Sequence, residues 1–148
     1  MRKLLKAICL FAFFNLAGCQ TTQGVVISES MLPIKQSRIV ITSVIGEARV
    51  ISQNGREISS HYHDRKLKYL DVTLKTPERL YTKVIILGAR RPYDISVEVH
   101  VEHRDPDTKA FQDIGLDDRL AALQAKSVQQ ALNLSQDKPQ VIDEGAPF

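Results

Sequence analysis

Apolar and polar positions change their rhythm several times along the chain. From Arg38 to Ile51 the branched residues Ile39, Val40, Ile41, Val44, Ile45, Val50 and Ile51 crowd together with Thr42, a density that favours β-strand. Gly46 marks a bend or bulge within that run. Gln53-Asn54-Gly55-Arg56 follows, and Asn-Gly between strand-like segments is a strong hairpin signal because both residues tolerate positive φ. The returning strand is expected from Arg56 to about His63. Asp64 to Thr76 mixes Lys66, Lys68 and Asp71 with Leu67, Tyr69, Val72 and Leu74, and reads as an edge strand or a loop.

A second hairpin is sharper. Leu80 to Leu87 contains the continuous run Val84-Ile85-Ile86-Leu87, which predicts a central strand covered on both faces. Gly88 to Pro92 makes the turn. Asp94 to Glu102 then alternates, with Ile95, Val97, Val99 and Val101 on one face and Asp94, Ser96, Glu98, His100 and Glu102 on the other, which must meet water. A helix is expected at about Leu116 to Asn133, opened by Asp117 and Asp118 at the positive end of its dipole. Leu116, Leu120, Leu123, Val128, Ala131, Leu132 and Leu134 share one half of its wheel, interrupted by Gln124 and Ser127; Arg119, Lys126, Gln129, Gln130 and Asn133 take the other. Pro139 forbids continuation, and the tail Val141 to Phe148 has apolar ends able to dock on the sheet. Hairpins followed by one terminal helix predict an α+β fold, an antiparallel sheet with a C-terminal amphipathic helix packed on one face.

The first 18 residues follow a different plan: a basic start (Arg2, Lys3, Lys6), an apolar run from Ala7 to Phe14, then small residues before a cysteine. That order is the secretory pattern, and the run is too short for a membrane span, which needs roughly 20 residues. Leu16-Ala17-Gly18-Cys19 resembles the lipobox of bacterial lipoproteins. The resemblance implies that Cys19 takes a diacylglycerol through its sulfur, that the chain is cut before it, and that the freed amine is acylated. Several acyl chains, at ~0.8 kcal/mol per buried methylene, hold a protein stably on its membrane. In that family Asp directly after the cysteine favours inner-membrane retention; here the residue is Gln20, so the expected address is the outer membrane, facing the periplasm. Residues 19–37 are expected as a lipidated tether, polar at first, with Val25 to Ile27 able to add a short edge strand, and 38–148 as a single domain.

Cleavage changes the charge and the redox chemistry. Removing Arg2, Lys3 and Lys6 from the 20 basic residues leaves 17, equal to the 17 acidic ones, so the overall +3 gives no reason to expect a nucleic-acid partner. Cys9 departs with the signal and Cys19 carries lipid, which leaves no thiol for a disulfide, a catalytic nucleophile or a metal. The composition, 43% hydrophobic and 25% charged, is that of an ordinary globular chain.

Candidate chemistry is sparse. His61 and His63 project from one side of a strand with Asp64 beside them, a possible metal half-site, and Glu98, His100 and Glu102 form a second same-face set. If the two strands were neighbours with these faces aligned, the ligands would converge; otherwise they make ordinary cross-strand pairs on a wet face. Arg90-Arg91-Pro92-Tyr93 sits in a turn where Arg90, Arg91 and Tyr93 could meet an anionic partner or remain solvated. There is no Gly-x-Ser-x-Gly, Ser-x-x-Lys, His-Glu-x-x-His or phosphate-cradling Gly-rich loop, no catalytic residue is singled out, and no cofactor is expected. The expected function is a lipid-anchored envelope lipoprotein acting without catalysis as accessory or scaffold to other envelope proteins. A metal-binding protein using the strand histidines and a cell-wall enzyme of unrecognised type are the alternatives.

Overall fold

The structure is a computed structural model that describes residues 24–71 and 76–137. The lipobox with Cys19, the Val72 to Lys75 stretch, Pro139 and the apolar tail lie outside the described residues. The elements run β1 (Val25–Ser30), α1 (Ile34–Ile45), β2 (Ala48–Ile51), β3 (Glu57–Ser60), β4 (Glu78–Leu87), β5 (Tyr93–Arg104), β6 (Phe111–Leu116) and α2 (Asp118–Gln136). The fold is α+β: the described residues form an antiparallel sheet ordered β1-β5-β4-β3-β2, with β6 also on β5, and two helices.

β4 and β5 organise the rest. They pair without a break from Glu78↔His103 to Leu87↔Asp94. On the far side of β5, β1 pairs at Val25↔Val97 to Ser30↔Tyr93 and β6 at His100↔Leu116 to Arg104↔Phe111, so two short strands share one edge. The expected alternation of β5 holds: Ile95, Val97 and Val99 are fully buried and Val101 nearly so. Leu80, Thr82, Val84 and Ile86 of β4 lie opposite them on the same face. The expectation that β4 is covered on both faces is corrected. Val84 and Ile86 are buried, but Ile85 is half-exposed and Leu87 exposed, because both helices lie on one side of the sheet. The Asn-Gly hairpin is present: Gly55 adopts φ 67° between β2 and β3, and Asn54 Oδ1 accepts from the Arg56 amide at 3.0 Å.

The expected strand from Arg38 is a helix up to Ile45, and only Ala48 to Ile51 is strand. Propensity favoured a strand, but Ile34, Ser37, Ile41, Val44 and Ile45 recur at helical spacing and lay one stripe on the sheet, with Ile41 fully buried. Thr42 and Ser43 fold their hydroxyls back onto the carbonyls of Arg38 and Val40, at 2.9 and 2.6 Å, and Gly46 ends the helix at φ 87°. The described residues thus hold two helices rather than one, and the stretch expected as tether is folded from residue 25 onward. β6, not foreseen, occupies Phe111 to Leu116, so α2 begins at Asp118 rather than Leu116, capped by Asp117, whose carboxylate accepts from the Leu120 amide at 2.9 Å.

α2 buries a narrower stripe than half its wheel. Leu120, Ala121, Gln124, Ala125, Val128 and Leu132 face the sheet, while Leu123 and Leu134 are 52% and 66% exposed. Among the described residues no helix is long and apolar enough to cross a membrane.

Val99 packs with Leu80, Val101, Leu120 and Ala121. Val99→Asp places an unpaired carboxylate there and should destabilise by about 3–5 kcal/mol or prevent folding. Leu123→Gln, on the exposed side of α2, should change stability by no more than about 0.5 kcal/mol. Urea denaturation of both variants checks the orientation of sheet and helix together.

Candidate functional site

Two places bring polar side chains together, one on each side of the sheet. The first is the face that carries no helix. Here the outward positions of β4 and β5 interleave: Arg79 opposes Glu102, Tyr81 opposes His100 and Lys83 opposes Glu98. Tyr81 and His100 stack with ring centres 4.8 Å apart and planes 4° from parallel. Tyr62 meets Tyr81 edge-on at 6.1 Å. The Arg79 guanidinium lies between the rings of Tyr62 and Phe111, 3.8 and 3.7 Å from their centres, and pairs with Glu102 at 2.5 Å. Arg49 of β2 covers Tyr62 at 4.5 Å, and Arg104 lies 5.1 Å from Phe111. The result is a row of alternating arginines and aromatic rings across the sheet, each cation resting on a ring face.

His100 sits inside this network. Its Nδ1 is 2.7 Å from an Asp113 oxygen and its Nε2 3.1 Å from Glu98, with the side chain only 17% exposed. The expectation that this face simply meets water is corrected: its large side chains shield one another. Burial, with Asp113 and Glu102 nearby, raises the Tyr81 phenol above its ordinary value, which keeps it protonated.

The second place is a groove of about 630 Å³ on the helix side. Three segments form it: the end of α1 with its link to β2 (Val44, Ile45, Gly46, Glu47), an excursion between β3 and β4 (His61, Tyr62, His63, Leu67, Tyr69), and Gln124 and Ser127 of α2. The excursion is built locally. The Leu70 amide donates to the Tyr62 carbonyl at 2.8 Å, and Asp64 Oδ1 accepts from the amides of Lys66 and Lys68 at 2.7 and 2.9 Å. Those amides, Lys68 foremost, hold the Asp64 carboxyl below its ordinary value. The turn brings Tyr69 back beside His61, ring centres 5.8 Å apart.

The sequence-derived candidates part company here. His63 points under the helices, where Nδ1 donates to the Asp64 carbonyl at 2.9 Å and Nε2 meets the Thr82 hydroxyl at 3.1 Å. Both nitrogens are thus engaged. His61 is beside it on the groove, whereas His100 and Glu98 lie through the sheet on the other face. The convergence of the two sets is therefore not realised: the pleat of β4 puts Thr82, which touches His63, and Tyr81, which touches His100, on opposite sides. Among the described residues no group of three His, Cys, Asp or Glu is arranged to hold a metal ion. Of the turn candidates, Arg90 and Arg91 are exposed, with Arg91 reaching the Met31 carbonyl at 3.4 Å, while Tyr93 packs on the core with Arg56 over its ring.

Sequence reasoning does not single out Arg79, Tyr62, Tyr81 or Phe111: Arg79 and Tyr81 are outward positions beside the apolar run of β4, and Tyr62 and Phe111 lie on other segments that only the folded sheet brings alongside them. For Gln124 and Ser127 a signal was present: they interrupt an apolar helix face three residues apart, which puts them on one side of α2.

Because His100 loses a stacked partner and two polar contacts on truncation, His100→Ala should cost about 1–2 kcal/mol rather than behave as a surface change. Urea denaturation at neutral pH measures it. Burial pushes the His63 imidazole below its ordinary value, against the opposing pull of the Asp64 carbonyl and carboxylate. The unfolded chain therefore takes up this proton first. The contribution of His63 is whole above the ordinary imidazole value of about 6.5 and is lost as pH falls from there towards the lowered native value. Denaturation midpoints should drop between about pH 7 and pH 5, and His63→Gln should flatten that slope.

Comparison with known protein families, characterised proteins and solved structures finds no match, so the functional reading rests on these two surfaces and on the N-terminal sequence.

Proposed function

We propose that this protein is an envelope lipoprotein, anchored by lipid at Cys19 on the periplasmic face of the outer membrane, that acts without catalysis as an accessory or scaffold gripping a partner protein through the open face of its sheet. The observation that carries the reading is the row Arg49, Tyr62, Arg79 and Phe111. Arginine and tyrosine supply a large share of binding energy at protein interfaces. Here their rings and guanidinium groups are stacked in advance, so little side-chain freedom is left to lose on association. The charges on this face are mixed, with Arg79 paired to Glu102 and Lys83 to Glu57 at 3.3 Å, which suits a polar protein surface better than a polyanion. The anchor rests on Leu16-Ala17-Gly18-Cys19, and the outer-membrane address on Gln20.

Crosslinking in intact envelopes followed by capture tests both parts. The native protein should fractionate with membranes and recover the same partner reproducibly. Cys19→Ser behind a non-lipoprotein signal should be soluble in the periplasm. Arg49→Glu, an exposed change on the row, should stay folded and membrane-bound yet lose most of the crosslinked partner. Reproducible absence of any partner, or capture indifferent to Arg49→Glu, rejects the sheet-face reading; membrane attachment that survives removal of the lipid site rejects the anchor.

A further inference from the structure

The groove on the helix side shares Tyr62 with the arginine–aromatic row, and the rest of its lining is not used by the function proposed above. Its chemistry is uneven. Val44, Ile45 and Leu67 give it apolar walls; among the described residues no lysine or arginine lines it, and their charged member is Glu47, which makes no ion pair with any of them. The most unusual member is Gln124. It is 93% buried on the sheet-facing stripe of α2, where its neighbours are Leu120, Ala121, Ala125 and Val128, and its carboxamide makes no hydrogen bond among the described residues. Its carboxamide is not among the polar atoms sealed from solvent without a partner, so its donor and acceptor edges reach the groove, where they are open to pairing. One turn along, the Ser127 hydroxyl donates to the Leu123 carbonyl at 3.2 Å, which leaves its oxygen free to accept.

We propose that this groove binds a neutral or basic peptide segment in extended form, with one of its peptide groups paired to the Gln124 carboxamide. A primary carboxamide offers one donor edge and one acceptor edge in a plane, the same pair that a peptide group presents, so the two can exchange both hydrogen bonds. The apolar walls take a side chain next to that peptide group. Glu47 favours a basic residue at the mouth and opposes an acidic one, since no described residue of the lining is a lysine or arginine that would neutralise an anion. At Gly46 an added Cβ would meet nothing within 4 Å, so the wall is open there to close approach by a backbone. The groove volume lies within the range of sites that enclose small ligands.

The test uses the chain from Gln20 onward, which keeps every described residue, and follows its amide spectra by NMR. The probes are acetyl-Ala-Leu-Lys-Ala-amide, its counterpart with Glu in place of Lys, and N-acetylglucosamine as an acetamide without a peptide backbone. The basic peptide should shift the Gln124 side-chain amide pair and the backbone signals of Glu47 and Ser127, and the acidic one should bind about tenfold more weakly. Gln124→Leu, which suits its buried stripe, should fold normally and weaken the basic peptide about tenfold. Glu47→Lys, at an exposed position, should reverse the preference between the two peptides. Three results overturn the proposal: no shift in the groove with either peptide up to about 10 mM, affinity unchanged in both variants, or N-acetylglucosamine binding there as well as the peptide does. None of these bears on the sheet face, which is tested by Arg49→Glu.

Discussion

Strand β5 is the constraint on which the rest of the molecule depends. Its twelve residues pair along one side with β4 and are divided on the other between β1 and β6. Side chains on a strand alternate strictly, so this double pairing leaves its neighbours no choice of face. With Val97 and Val99 turned to the helices, Val25 and Ile27 of β1 and Val84 and Ile86 of β4 must follow them, and His100, Tyr81 and Arg79 must turn the other way. A slip of one residue would exchange the two sets, driving His100 and Glu98 into the core.

Both helices pack on one face, and the other is left to its own side chains. It is shielded by long amphipathic groups rather than by another layer. The arginine stems and tyrosine rings cover the strands while their polar ends reach water, and stacking fixes their arrangement. Such a face stays soluble without being featureless. It also sets the limits of the metal alternative, since the imidazoles that sequence spacing grouped are held on opposite sides of one sheet, two with their nitrogens already engaged.

The groove has a different origin. α1 stops at Gly46, while the excursion from Tyr62 to Leu70 rises on its own hydrogen bonds and α2 passes beside both. Three elements meet without filling the space between them. Beneath it the polar atoms are consumed in a closed set: Ser60 accepts from the Thr82 amide at 2.9 Å, and the Thr82 hydroxyl meets His63. Gln124 stands apart from that set, which is why it presents itself to the groove.

What the sequence determined by itself was whatever depends on short-range periodicity and turn chemistry. The alternation of Ile95, Val97, Val99 and Val101, the Asn54-Gly55 turn and a C-terminal amphipathic helix opened by an aspartate were legible because each is decided within a few residues. The order Leu16-Ala17-Gly18-Cys19 is likewise written in the chain alone, and the proposed lipid anchor rests on it. Tertiary structure decided the rest. The branched run at Ile39 to Ile45 is a helix because burying Ile41 between sheet and α2 outweighs a propensity of a few tenths of a kcal/mol per residue. Which leucines of α2 are buried, and that Gln124 is buried with them, depends on how the helix rolls against the sheet. The arginine–aromatic row draws on β2, β4, β6 and the excursion, and the groove on the two helices and that excursion, so each exists only once strands far apart in the chain have paired and the helices have packed on them.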